Sequence, residues 1–119
     1  MLTVLVVEDE FGVADVVVTA LEDEGYRVLV AANGRQGMER LADTKPDLII
    51  LDFMMPIMDG AAMAKAVRAN PEYANIPIVM TSAVGEAAVK DRFGDFQAFM
   101  RKPFRIQELL ETVERLIGK

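Results

Sequence analysis

Five short runs of valine, isoleucine and leucine, separated by segments of helical character, constrain the fold of this chain more than any other feature. Leu2–Val7, Arg27–Ala31, Asp47–Leu51, Ile76–Met80 and Ala98–Met100 read as strands. The first is almost continuously apolar, the pattern of a strand covered on both faces. Val13–Glu24 reads as a helix that stops at Gly25, a residue type that ends helices in a left-handed conformation. Arg35–Ala42 follows the Asn33-Gly34 turn and suits a short amphipathic helix, with Met38, Leu41 and Ala42 apolar. Ala61–Ala69 is rich in helix formers and should fail near Asn70-Pro71. Ala87–Phe93 and Arg105–Ile117 complete the helices. The last carries Leu109, Leu110, Val113, Leu116 and Ile117 on one stripe.

Strands that alternate with helices build a parallel sheet covered on both faces. Right-handed crossovers restrict its topology. Five strands fit the flavodoxin-like doubly wound order 2-1-3-4-5, a (βα)5 three-layer sandwich, better than a six-stranded dinucleotide-binding sheet. The 119 residues amount to about one domain, taken as residues 1–119. A hydrophobic fraction of 52% supplies a packed core and argues against disorder.

Composition removes several function classes. There is no cysteine and no histidine. Disulfides, thiolate metal sites, His-ligated zinc, Ser-His triads and a phosphohistidine on this chain are therefore excluded. Any metal site must be built from oxygen, which points to a hard cation such as Mg²⁺. A net charge of −6 argues against direct binding of nucleic acid or an anionic membrane. No basic, apolar leader opens the sequence, and no apolar run reaches the roughly 18 residues of a membrane span. The expectation is a soluble cytoplasmic protein.

The third strand ends in LIILDFMMPIMDG, an apolar run closing on Asp52. An unpaired carboxylate is costly in such surroundings. Asp52 is either the solvated tip of a strand or a group held there for use. In open α/β sheets the ligand site lies at the carboxyl ends of the strands. That rim collects Glu8 and Asp9 from the first strand, Asp52 from the third, Thr81 and Ser82 from the fourth and Lys102 from the fifth. Two carboxylates ~4 Å apart repel by roughly 4 kcal/mol at an effective dielectric of ~20. One lysine does not neutralise three acids, whereas Mg²⁺ accepts carboxylates, a backbone carbonyl and phosphate oxygens. A phosphoryl group would fit between the metal, Lys102 and Thr81, with Asp52 as the central candidate for a carboxylate nucleophile.

The motifs VLVVEDE, LIILDFMMPIMDG, IVMTSA and FMRKPF, in this order and spacing, resemble a response-regulator receiver domain of two-component signalling, from Leu2 to about Ile117. The resemblance implies a cytoplasmic phosphoprotein with Asp52 as phosphoacceptor. Asp9 would bind Mg²⁺ directly and Glu8 chiefly through water, with Asp52 and the Met54 backbone carbonyl as further ligands. Thr81 and Lys102 would hold the phosphoryl group, and the Lys102–Pro103 bond would be cis. Phe99 stands where receivers place a switch aromatic, and Gly60 would serve the turn into the third helix. Such a domain is no conventional enzyme but catalyses its own phosphorylation and dephosphorylation. It takes the phosphoryl group from a histidine kinase or a histidine phosphotransfer protein. Its helix 4–strand 5–helix 5 surface then acts on an effector protein or a fused output domain, or forms a phosphorylation-dependent dimer.

The first helix is apolar at Val13, Ala14, Val16, Val17, Val18, Ala20 and Leu21, more than one core-facing stripe requires. Some of these valines should be exposed, either as single surface residues or for docking a kinase. Receivers are similar in using this helix to meet phosphohistidine helices. Two features depart from the family pattern. FGDFQAFM precedes Lys102 where many receivers have a Gly-Ala pair, and the switch position is Phe rather than Tyr. Two other readings compete. One is a receiver-shaped interaction module that is never phosphorylated, which would have no need of the acids, Thr81 and Lys102. The other is a flavodoxin-like cofactor protein, but Glu8-Asp9-Glu10 would repel the phosphate of such a cofactor.

Overall fold

A computed structural model describes residues 1–118. Strands β1 (Thr3–Val7), β2 (Arg27–Ala31), β3 (Leu48–Asp52), β4 (Ile78–Ser82) and β5 (Ala98–Arg101) alternate with helices α1 (Phe11–Asp23), α2 (Gly34–Asp43), α3 (Gly60–Ala69), α4 (Glu86–Lys90) and α5 (Ile106–Ile117). All pairings are parallel, and the sheet order is β2-β1-β3-β4-β5, the flavodoxin-like arrangement expected from the sequence.

The period-two geometry of the strands explains why their sequences are apolar throughout. Val4, Val6, Leu48, Ile50 and Val79 face one side of the sheet and pack on Val17 and Leu21 of α1 and on Leu109 and Val113 of α5. Leu5, Val7, Ile49, Leu51, Ile78 and Met80 face the other side and pack on Leu41 of α2, Met63, Ala64 and Val67 of α3 and Val89 of α4. Leu5 and Leu51 are fully buried, and truncating either to alanine would cost about 2–5 kcal/mol.

Local chemistry sets the helix ends. Asn33 Oδ1 accepts from Gln36 N and Asp59 Oδ1 from Ala62 N, each at 2.9 Å, so both act as N-caps. Gly25 ends α1 at φ 91°, a conformation costly for any residue with a Cβ.

The fourth strand lies two residues later than the sequence suggested. Pro77 has no N–H to give a ladder, and Ile76 N donates instead to Tyr73 O at 3.0 Å in the turn after α3. Thr81 and Ser82 are therefore strand residues rather than residues beyond the strand. The fourth helix is shorter than expected. It ends at Lys90, and residues 91–92 form a turn before Phe93. On α1, Phe11 is 82% exposed and Val16 54%, so part of its apolar surplus does face outward.

Candidate functional site

Each strand delivers its polar residues to the same rim. The ladder between β1 and β2 runs on through Glu8, whose N–H donates to Ala31 O at 3.0 Å. This extension buries the Glu8 side chain while Asp9 turns outward to solvent. Asp52 is the last residue of β3, buried, and paired in register with Thr81 of β4. Thr81 is buried beside it. Phe53 N donates to Thr81 O at 2.8 Å, which fixes the chain immediately after Asp52. Lys102 N donates to Ser82 O at 2.8 Å, which carries the lysine onto the rim beyond β5. The Lys102–Pro103 bond is cis.

The charged groups converge on one ammonium. Lys102 Nζ stands 2.8 Å from Glu8 Oε1, 3.3 Å from Asp52 Oδ1 and 3.7 Å from Glu10 Oε1. Burial pulls the Lys102 ammonium down, but contact with Glu8 and Asp52 outweighs it and raises the pKa. Burial pushes the Asp52 carboxyl up to about 7, with help from the Glu8 charge and against the pull of Lys102. One ammonium does not hold this carboxylate in its ordinary range.

Glu8, Asp9 and Asp52 each offer a carboxylate oxygen, all within 4.8 Å of one another. This all-oxygen set has more negative charge than Lys102 cancels, and that suits a hard divalent cation. The residues present therefore fit Mg²⁺. Met54, the expected carbonyl ligand, lies two residues after Asp52 in the loop to α3, a residue 61% exposed. Phe99 lies on β5, half-buried against the core, its ring centroid 6.0 Å from that of Phe96.

Gly60 explains how the loop after Asp52 closes. Its N–H donates to Phe53 O at 3.0 Å. A Cβ at this position would collide with the Asp52 carbonyl oxygen and come within 2.8 Å of Phe53 Cα. The first turn of α3 thus rests directly on the Asp52 backbone.

Three features were not read from the sequence. Glu10 reaches Lys102, and its place in the EDE triplet was the available signal. Arg92 spans from the end of α4 to Asp59 and Phe53, for which a single sequence offers no sign. Ile57 has φ 70°, with Met58 N donating to Pro56 O at 2.8 Å, a γ-turn that a β-branched residue enters only under strain.

Residues 4–114 match the family described as the response regulator receiver domain. The chain belongs to the response regulator receiver family. This receiver domain is 32% identical over 120 residues to the DNA-binding dual master transcriptional regulator RpaA of Synechocystis, covering 98% of the chain and 49% of that protein. It thus spans about half the length of the transcriptional regulators that head its curated relatives. Among solved structures it superposes with a TM-score of 0.91 on the Vibrio cholerae chemotaxis protein CheY4, at 33% identity and 98% coverage of both chains. It superposes with a TM-score of 0.90 on the receiver domain of sensor histidine kinase PA1611 from Pseudomonas aeruginosa, at 27% identity, covering 99% and 98% of the two chains. That structure has a magnesium ion coordinated in its active-site cleft. As a receiver of two-component systems, the domain is a signalling module. No helix among its described residues is long and apolar enough to cross a membrane.

Proposed function

We propose that residues 1–119 act as one phosphorylation-dependent switch, with Asp52 accepting a phosphoryl group from a phosphohistidine. The observation that carries this reading is Lys102 Nζ bridging Glu8 and Asp52 at the end of the strand beside Thr81. A carboxylate oxygen of Asp52 attacks phosphorus, the P–N bond to imidazole breaks, and the leaving nitrogen takes a proton. Glu8, Asp9, Asp52 and the Met54 carbonyl would hold Mg²⁺. When bound, that cation supplies the charge neutralisation that keeps Asp52 ionised at neutral pH and offsets charge on the phosphoryl oxygens. Lys102 exchanges part of its contact with Asp52 for a phosphoryl oxygen, and the Thr81 hydroxyl donates to another. Catalysis is positioning and electrostatics supplied by the domain itself, for dephosphorylation as for phosphorylation.

The donor would be a histidine kinase or a histidine phosphotransfer protein. Val13, Val16 and Val17 of α1, with Pro103, Phe104 and Ile106, line an apolar groove beside Lys102 that suits its helices. The response is a change of the α4–β5–α5 face, where Phe99 lies. An effector, a fused output domain or a second copy reads that change. The net charge of −6 leaves direct nucleic-acid binding to another domain.

Incubation with acetyl phosphate and Mg²⁺ should add one phosphoryl group by mass spectrometry, and Asp52→Asn should abolish it. Robust labelling of that variant at another residue would overturn the assignment.

A further inference from the structure

Helix α4 is five residues long, and Val89 is its one buried side chain. A helix this short has little stability of its own, and one buried valine does not fix where both its ends lie. Two arginines from outside the helix hold those ends. On the C-terminal side, Arg92 Nη2 lies 3.2 Å from Asp59 Oδ2, and its guanidinium stands 5.8 Å from the centroid of the Phe53 ring. Asp59 caps α3, and Phe53 is the residue after Asp52. On the N-terminal side, Arg101 Nε donates at 3.2 Å to the carbonyl of Ala83, in the loop that joins Thr81 and Ser82 to α4.

We infer that Arg92 and Arg101 form a latch that holds α4 in its unphosphorylated position and sets how readily the Asp52 site switches. The inference rests on the switch proposed above and adds the residues that regulate it. The Arg92 contacts tie the C-terminal end of α4 to Asp59 and Phe53, and the Arg101 contact ties the loop before α4 to β5, so a shift of α4 relative to Asp59, or of that loop relative to β5, breaks them. A contact made in one arrangement and lost in the other biases the equilibrium by its full strength. An exposed ion pair and a cation–π contact are each modest. Together they shift such a population by roughly tenfold. The planar guanidinium matters, because a lysine at position 92 would keep the charge but lose the stacking on Phe53.

The test compares amide NMR spectra in Mg²⁺ for wild type, Arg92→Met, Arg101→Met and the double variant. The wild type is also recorded with the phosphoryl mimic beryllofluoride. For residues 81–85 and 96–104, the variants without mimic should lie partway along the line from free to mimic-bound wild type. The double variant should lie furthest along it. Phosphorylation by acetyl phosphate should be several-fold faster in the double variant, and Arg92→Lys should fall between wild type and Arg92→Met. Variant resonances at the free wild-type positions, or displaced off the line, would overturn the latch, whatever happens to thermal stability. A wild type that shows no response to the mimic would overturn the switch itself, so the two failures are distinguishable.

Discussion

Asp52 Oδ1 and Lys102 Nζ are 3.3 Å apart, yet the acid of this pair is pushed up to about 7. Lys102 is shared with Glu8, which it meets more closely, and Asp52 is left buried among like charges. The pair therefore does not stabilise the ionised form of Asp52 enough to offset its burial.

A pH dependence follows. The folded protein binds the Asp52 proton more tightly than the unfolded chain does, with pKa about 7 against 3.8. The unfolded state therefore holds fewer protons between these values, and stability falls as pH rises through them. The penalty is absent below the unfolded pKa and complete above the folded one. At about 1.4 kcal/mol per unit this shift amounts to at most about 4 kcal/mol, which solvent screening at the rim reduces to on the order of 3 kcal/mol. The chain has no histidine, so this window has few other contributors. In chelator, denaturant unfolding should show stability declining from pH 5 to pH 7.5, with a shallower decline for Asp52→Asn. Asp52→Asn should also be the more stable protein at pH 7.5. Equal slopes would show that Asp52 is not the group responsible.

Asp9 is exposed and close to two buried carboxylates. Asp9→Ala should weaken Mg²⁺ binding and acetyl phosphate labelling together. Without metal it should be neutral or slightly stabilising, within about 0.5 kcal/mol, because it removes repulsion. Calorimetric titration and unfolding in chelator measure the two effects. A large metal-free loss of stability would make Asp9 a structural residue instead.

Gly60→Ala tests the contact between α3 and the Asp52 backbone. The added methyl has no room and the atoms it meets are main chain, so the backbone must move. The expected cost is about 1–3 kcal/mol, with slower phosphorylation because Asp52 itself is displaced. Unchanged labelling kinetics in a destabilised variant would separate the packing from the chemistry.

Met54 and Ala83, both exposed at the rim, offer no group that orients a water. The Asp52 phosphate should therefore be long-lived. Met54→Asn combined with Ala83→Glu should shorten its lifetime by on the order of tenfold, ~1.4 kcal/mol in barrier. Loss of phosphate after removal of the donor, in Mg²⁺, is the measurement. Equal or slower loss in the double variant would show that these side chains do not control the water.

The sheet was legible because strands buried on both faces leave a simple record. Val4, Leu5, Val6 and Val7 must all be apolar when helices cover both sides. The rim was legible because a parallel sheet sends all its strand ends the same way, so residues as distant as Asp9 and Lys102 are neighbours by topology. Element ends were less so. Ile76 and Pro77 look like strand residues by side chain, but the missing proline N–H hands Ile76 to the preceding turn. Ile57 was unreadable, because its left-handed backbone is imposed by the Pro56–Met58 turn against the preference of its own side chain. Arg92 was unreadable for another reason. Its partners, Asp59 and Phe53, lie more than thirty residues away and pair with it only once α3 and α4 are in place.

In each βα unit the strand climbs toward the acid rim and the helix descends from it. Five such round trips return the chain to the level where it set out, so Thr3 and Gly118 both lie at the floor of the sheet, opposite Asp52. Any segment joined at either end would start from that floor, a full strand length from the chemistry. If Asp52 is phosphorylated as proposed, its effect on such a segment has to cross that length, along α5 or over a flank of the domain.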